Sequence, residues 1–88
     1  MTARNRVVIV DDEAGVRAFL SDYLGLNGFR VRAAAGGAEL DACLAAEPAD
    51  LIVLDLNMPA ENGFAVARRL RGAGCDLGLE MRRHGINQ

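Results

Sequence analysis

Apolar and polar positions alternate along the 88-residue chain in a way that predicts strands and helices in turn. Val7–Val10 is an unbroken β-branched run, the mark of a strand buried on both faces in a parallel sheet. Val16, Phe19, Leu20, Tyr23 and Leu24 follow at i, i+3, i+4, i+7 and i+8, which predicts an amphipathic helix stopped by Asn27-Gly28. From Phe29 to Ala33 the pattern changes to strict alternation. Phe29, Val31 and Ala33 fall on one side and Arg30 and Arg32 on the other, as in an edge strand with one wet face.

After the Gly36-Gly37 break, Leu40, Cys43 and Leu44 predict a second helix ended by Pro48. Leu51–Leu54 reads as a second buried strand, and Met58-Pro59 to Gly63 as a loop. A third helix is expected from Gly63, with Val66, Ala67 and Leu70 inward, Arg68, Arg69 and Arg71 outward, and Gly72 and Gly74 at its end. The order βαβαβα implies an α/β fold with a parallel sheet. Ligands of such sheets bind beyond the carboxyl ends of the strands, where the strand order reverses.

Both apolar strands run into acids, Asp11-Asp12-Glu13 after the first and Asp55 after the other. With a strand order of 2-1-3 the first and third strands are neighbours, and Asp11, Asp12 and Asp55 form one cluster. Three adjacent carboxylates either raise one another's pKa or hold a cation. All ten basic residues are Arg, so no Lys is present to pair with them. A hard divalent ion is the expected counter-charge, and Mg²⁺ suits a site of one or two carboxylates, waters and a phosphoryl group. A carboxylate beside that metal is also a nucleophile toward phosphorus. The plainer reading of Asp12 or Glu13 is helix capping. Asp55 has no such role, because no helix is expected until about Gly63.

The remaining composition narrows the partners. One domain is the limit at this length, and half of the residues are apolar. A net charge of −2 makes nucleic acid or an anionic membrane a poor partner. Cys43 and Cys75 form no CxxC or Cys/His cluster, and two reduced thiols are preferred to a disulfide. No 18-residue apolar stretch exists, so neither a signal peptide nor a membrane span is expected, and the location expected is cytoplasmic.

The motifs VVIVDDE and LIVLDLNMPAENG together resemble the receiver domain of two-component response regulators over roughly Arg6 to Gly72. The second is the more specific, with Asp55, Met58, Pro59 and Gly63 at the family's spacing. The resemblance implies a flavodoxin-like sheet and a phosphorelay function. Asp55 would be the phospho-acceptor. Asp11, Asp12 and Asp55 would hold Mg²⁺ together with the backbone carbonyl of Asn57. The donor would be a sensor histidine kinase or a phosphotransfer protein, and the chain would be an acceptor rather than an enzyme. Pro59 fits a fixed loop after the acceptor, and Gly63 a tight turn into the third helix. Met58 reads as a core plug.

The chain also departs from that family. Five βα units are the family pattern, and residues 1–74 provide three, as a partial receiver domain. Residues 75–88 form a divergent tail, read either as a fourth strand or as an exchanged segment. Leu77-Gly78-Leu79 begins like a strand, but Glu80 interrupts it. The family's switch hydroxyl has no counterpart, since the only Ser and Thr are Ser21 and Thr2. Its conserved Lys is absent; an Arg from the tail or from a second chain could compensate, but the geometry of a guanidinium does not replace the point charge of a Lys. His84 reads as a bystander. With the sheet ending at 2-1-3, the third strand is an apolar edge, which predicts a homodimer through edge pairing or swapping. Two rivals follow: a non-phosphorylated interaction module derived from a receiver domain, and an aspartyl phosphatase. The Asp-x-Asp that a phosphatase needs is absent from both acidic motifs.

Overall fold

A computed structural model describes residues 5–55, 65, 66, 68, 70 and 78–82, the last stretch by its backbone. Its elements are β1 (Arg6–Val10), α1 (Ala14–Leu26), β2 (Arg30–Ala34), α2 (Gly37–Ala46), β3 (Leu51–Asp55) and β4 (Gly78–Arg82). Ala65, Val66, Arg68 and Leu70 are helical, in the segment expected to form the third helix. The sheet is parallel, in the order β2-β1-β3-β4.

The expected 2-1-3 arrangement is therefore present, and β1 is central in it. Val7, Val8, Ile9 and Val10 are all buried, as a β-branched run with neighbours on both sides and both faces should be. Val8 and Val10 stand in register with Ile52 and Leu54 of β3. Together with Ala34, Leu40, Ala49, Val66 and Leu70 they form one aliphatic core, flanked by Cys43 and Leu44. Cys43 is half-buried with a free thiol.

Two expectations about the sheet are corrected. The third strand is not an edge. Leu51–Asp55 pairs along its length with Gly78–Arg82 of the same chain, so the tail contributes a fourth strand. Glu80 does not prevent this, because a strand beside an open ladder is stabilised by main-chain hydrogen bonds and tolerates a poor side-chain pattern. The edge-pairing ground for a homodimer is lost at β3.

The second correction concerns β2, which is an edge as expected, with Arg30 in solvent, but whose Arg32 is half-buried. The Arg32 guanidinium donates to the carbonyls of Cys43 (2.6 Å), Glu47 (2.9 Å) and Pro48 (3.2 Å). It thereby caps the C-terminal end of α2, where the helix dipole favours a cation. Ala34, on the same side, is buried beneath α2.

The expected apolar face of α1 is only partly used. Val16, Leu20 and Leu24 are half-buried where the helix lies on β1 and β2. Phe19 and Tyr23 stay exposed and stack on each other with ring centroids 6.4 Å apart. Asn27 ends the helix, and Gly28 takes a φ of +90°, the left-handed conformation that glycine adopts without strain. At the amino end of the sheet, Arg6 and Asp50 form a two-pronged ion pair of 3.1 and 3.2 Å. Asp50 also accepts from the Arg6 backbone N–H, which ties the starts of β1 and β3 together. Met58, Pro59, Gly63, Gly72, Gly74, Cys75 and His84 lie outside the described residues, so the expectations placed on them find no structural counterpart here.

Candidate functional site

The site follows from two strand ends lying side by side. β1 and β3 are adjacent and parallel, with Val10 level with Leu54. The next residue on each strand is an aspartate, so Asp11 and Asp55 emerge together at the carboxyl end of the sheet. Asp12 is one step further along. Asp11, Asp12 and Asp55 each offer a carboxylate oxygen, and these three atoms lie within 4.8 Å of one another. Acids more than forty positions apart in the chain are thus brought into one cluster by topology.

Burial makes this arrangement demanding. Asp11 and Asp55 are almost fully buried, at 0% and 1% exposure, whereas Asp12 faces solvent. Desolvated carboxylates are stable only where charge or hydrogen bonds compensate them. Asp11 receives such a bond, since its Oδ1 accepts from the Glu13 N–H at 2.9 Å. Its backbone N–H donates to the Ala34 carbonyl at 3.1 Å, extending the β1–β2 ladder by one bond. Arg17 then reaches back from the first turns of α1, and its guanidinium donates to the Asp11 carbonyl at 2.8 Å. The main chain of Asp11 is held from both sides.

The capping explanation for these acids is not realised by a side chain. Glu13 occupies the position before α1, but its side chain makes no capping hydrogen bond to the helix. Asp11 is turned to a backbone N–H two residues on, which fixes its carboxylate at the strand end instead of at the helix axis.

The donor set is that of a hard cation. Three carboxylate oxygens and no nitrogen or sulfur match the preference of Mg²⁺. Oxygens across an octahedral Mg²⁺ are about 4.2 Å apart, twice a bond of about 2.1 Å. A cluster spanning up to 4.8 Å therefore fits one ion if two carboxylates bind directly and the third acts through a water, or if the group closes slightly. Asn57, expected to offer its backbone carbonyl, lies outside the described residues.

The family model described as the response regulator receiver domain matches residues 7–79. The chain belongs to the response regulator receiver domain family. Response regulator MprA of Mycobacterium tuberculosis is 42% identical over 72 residues, which is 82% of this chain and 31% of that protein. This receiver domain thus spans about a third of the length of that relative. Among solved structures, a response regulator receiver protein from Pseudomonas putida superposes with a TM-score of 0.88 at 28% identity, covering 99% of this chain and 74% of the other. Response regulator TrrA of Thermotoga maritima, solved in complex with Mg²⁺ and BeF, gives 0.84 at 28% identity and covers 92% and 70%. The flavodoxin-like architecture of the receiver domain is confirmed by these likenesses.

One residue at the site was not singled out from the sequence. Arg17 sits six positions after Asp11, where one turn of helix brings it back over the strand end. Its spacing from the acids was a usable signal.

Proposed function

We propose that this receiver domain accepts a phosphoryl group on Asp55 from a sensor histidine kinase or a phosphotransfer protein, with Mg²⁺ held by Asp11, Asp12 and Asp55. The convergence of the three carboxylates within 4.8 Å at the end of β1 and β3 carries this reading. The Asn57 carbonyl completes the ligand set by family resemblance. When bound, Mg²⁺ would neutralise charge on the transferring group.

Asp55 is the acceptor because it ends β3, is buried, and has no helix predicted by the sequence to follow it before about Gly63. A carboxylate oxygen of Asp55 attacks the phosphorus of a phosphohistidine. The O–P bond forms as the P–N bond breaks, and the electron pair returns to the imidazole, which takes up a proton. Asp11, held by Glu13 and Arg17, positions one side of the site, and exposed Asp12 gives the ion its route to solvent. The domain acts as an acceptor, without turnover of its own, and works in the cytoplasm. Among the described residues no helix is long and apolar enough to cross a membrane.

The test is incubation with a small acyl phosphate and Mg²⁺ followed by intact mass measurement. One added phosphoryl group on the wild-type chain, absent from Asp55→Asn, is the expected result. A chain that stays unmodified at saturating donor and metal refutes the proposal. The absence of Lys and of a switch hydroxyl would then favour a non-phosphorylated interaction module. For a homodimer the described surfaces to consider are the edge strands β2 and β4 and the face of α1 where Phe19, Tyr23 and Leu26 are exposed. Sedimentation at micromolar concentration distinguishes monomer from dimer.

A further inference from the structure

Carboxylates can share one small ion only if the backbone that carries them is held. At Asp11 three such holds converge. Its N–H donates to the Ala34 carbonyl at 3.1 Å, and its Oδ1 accepts from the Glu13 N–H at 2.9 Å. Its carbonyl accepts from the Arg17 guanidinium at 2.8 Å. The first two partners are main-chain groups and come with the sheet and the turn. The third is a side chain, half-buried over the strand end.

A peptide unit is planar, so the Asp11 carbonyl and the Asp12 N–H and Cα lie in one plane. Arg17 therefore grips the peptide that joins Asp11 to Asp12. Asp11 is buried, whereas Asp12 is exposed. The direction of Asp12 follows from the peptide units on its two sides. Arg17 holds one through the Asp11 carbonyl, and Asp11 Oδ1 holds the other through the Glu13 N–H. Arg17 is itself anchored, because its backbone N–H donates to the Glu13 carbonyl at 3.1 Å as α1 begins. Its side-chain bond goes to a carbonyl, so it acts on the cluster through the main chain.

We propose that Arg17 is a positioning residue that sets the metal selectivity of the cluster, shifting its preference from Ca²⁺ towards Mg²⁺ by holding the Asp11–Asp12 peptide in one orientation. This rests on the metal-binding part of the reading above. Mg²⁺ requires near-ideal octahedral geometry with bonds of about 2.0–2.1 Å, whereas Ca²⁺ accepts flexible arrangements at about 2.3–2.6 Å. Loosening the peptide penalises Mg²⁺ more. Removing the charge of Arg17 acts differently, raising the affinity for both divalent ions to a similar extent. The ratio of the two affinities separates positioning from charge.

The experiment titrates the isotopically labelled chain with MgCl₂ and, separately, with CaCl₂, following the backbone amide resonances of Asp11, Asp12 and Glu13 at a temperature where every variant is folded. The wild type is compared with Arg17→Met, Arg17→Lys and Arg30→Met. The last removes an exposed Arg from the start of β2, at the opposite end of the sheet. In Arg17→Met the ratio of Mg²⁺ to Ca²⁺ affinity should fall about tenfold, the lower end of what partners of metal ligands contribute. Arg17→Lys keeps a donor at this position and should recover part of the ratio, and Arg30→Met should match the wild type. Without metal, the Asp12 amide resonance should already move in Arg17→Met, because its N–H belongs to the peptide that Arg17 holds. An unchanged ratio in Arg17→Met overturns the inference, whatever happens to each affinity singly. So does a fallen ratio that Arg17→Lys leaves as low, or one accompanied by resonance changes reaching Arg6–Val8 at the far end of β1, which marks a folding role. A wild-type chain that binds neither ion overturns the metal-binding reading and this inference with it. A wild type that binds Mg²⁺, with a ratio indifferent to Arg17→Met, overturns this inference alone.

Discussion

Neutralising the buried Asp55 should stabilise this domain in the absence of metal. In the folded chain, oxygens of Asp11 and Asp55 lie within 4.8 Å of each other with both residues removed from solvent. Two like charges at that separation repel by about 3.5 kcal/mol at an effective dielectric constant of about 20. Asp12 is exposed and adds less. Part of the repulsion is offset by hydrogen bonds to the pair, that from Glu13 among them, so about 1–3 kcal/mol should be recoverable. Asp55→Asn keeps the shape and removes the charge. For a domain of this size, 1 kcal/mol moves the melting temperature by about 4–8 °C. Thermal unfolding in a chelator should therefore place Asp55→Asn several degrees above the wild type. Added Mg²⁺ should narrow or reverse the difference, since a ligand at 100 times its Kd stabilises the wild type by about 2.7 kcal/mol. An Asp55→Asn protein that melts below the wild type in chelator refutes the charge-repulsion argument. A wild type whose melting ignores millimolar Mg²⁺ refutes the metal argument independently.

Other substitutions probe the frame around the site. Ile52→Ala and Leu40→Ala each empty a fully buried core position and should cost about 2–5 kcal/mol, which urea titration followed by circular dichroism would report as a large fall in midpoint. Arg32→Met removes three bonds to the end of α2 and should cost about 1–3 kcal/mol by the same measurement, without changing the Mg²⁺ response. Phe19→Ser should change stability by less than about 1 kcal/mol because the ring is 67% exposed, and a larger loss would mean that α1 is covered in solution. Arg17→Gln should weaken Mg²⁺ binding less than Asp11→Asn does, since Arg17 holds the Asp11 main chain and is not itself a ligand; calorimetric titration of both variants would show it.

Much of the frame was legible because β1 and β3 are defined by their own residues. Val7–Val10 and Leu51–Leu54 are apolar throughout, and each is bounded by an acid, so strand, burial and strand end could be read together. The core positions Leu40, Val66 and Leu70 were visible for the same reason, through helical spacing. What could not be read depended on partners. Arg32 looked like a solvent-facing residue because alternation says nothing about the helix end that lies above it. Phe19 and Tyr23 belonged to an apolar stripe wider than the surface that α1 covers. Gly78–Arg82 has a mixed pattern, and its strand state follows from the free ladder of β3 rather than from its own side chains.

The chemistry of the site is a consequence of strand order more than of local motif. Asp11-Asp12-Glu13 on a central strand could serve merely to begin a helix, and Asp55 alone is one buried acid. In a 1-2-3 sheet, β2 would separate the two strand ends, placing them about 9.6 Å apart, twice the inter-strand spacing. That is more than double the roughly 4.2 Å that one octahedral Mg²⁺ can bridge between opposite ligands. Because the chain crosses from β2 over β1 to form β3, the separation falls to one strand spacing and the three oxygens converge within 4.8 Å. The same crossing leaves the far side of β3 open, and β4 pairs along it. One topological choice thus sets which acids could share a cation, and no local motif could do so without it.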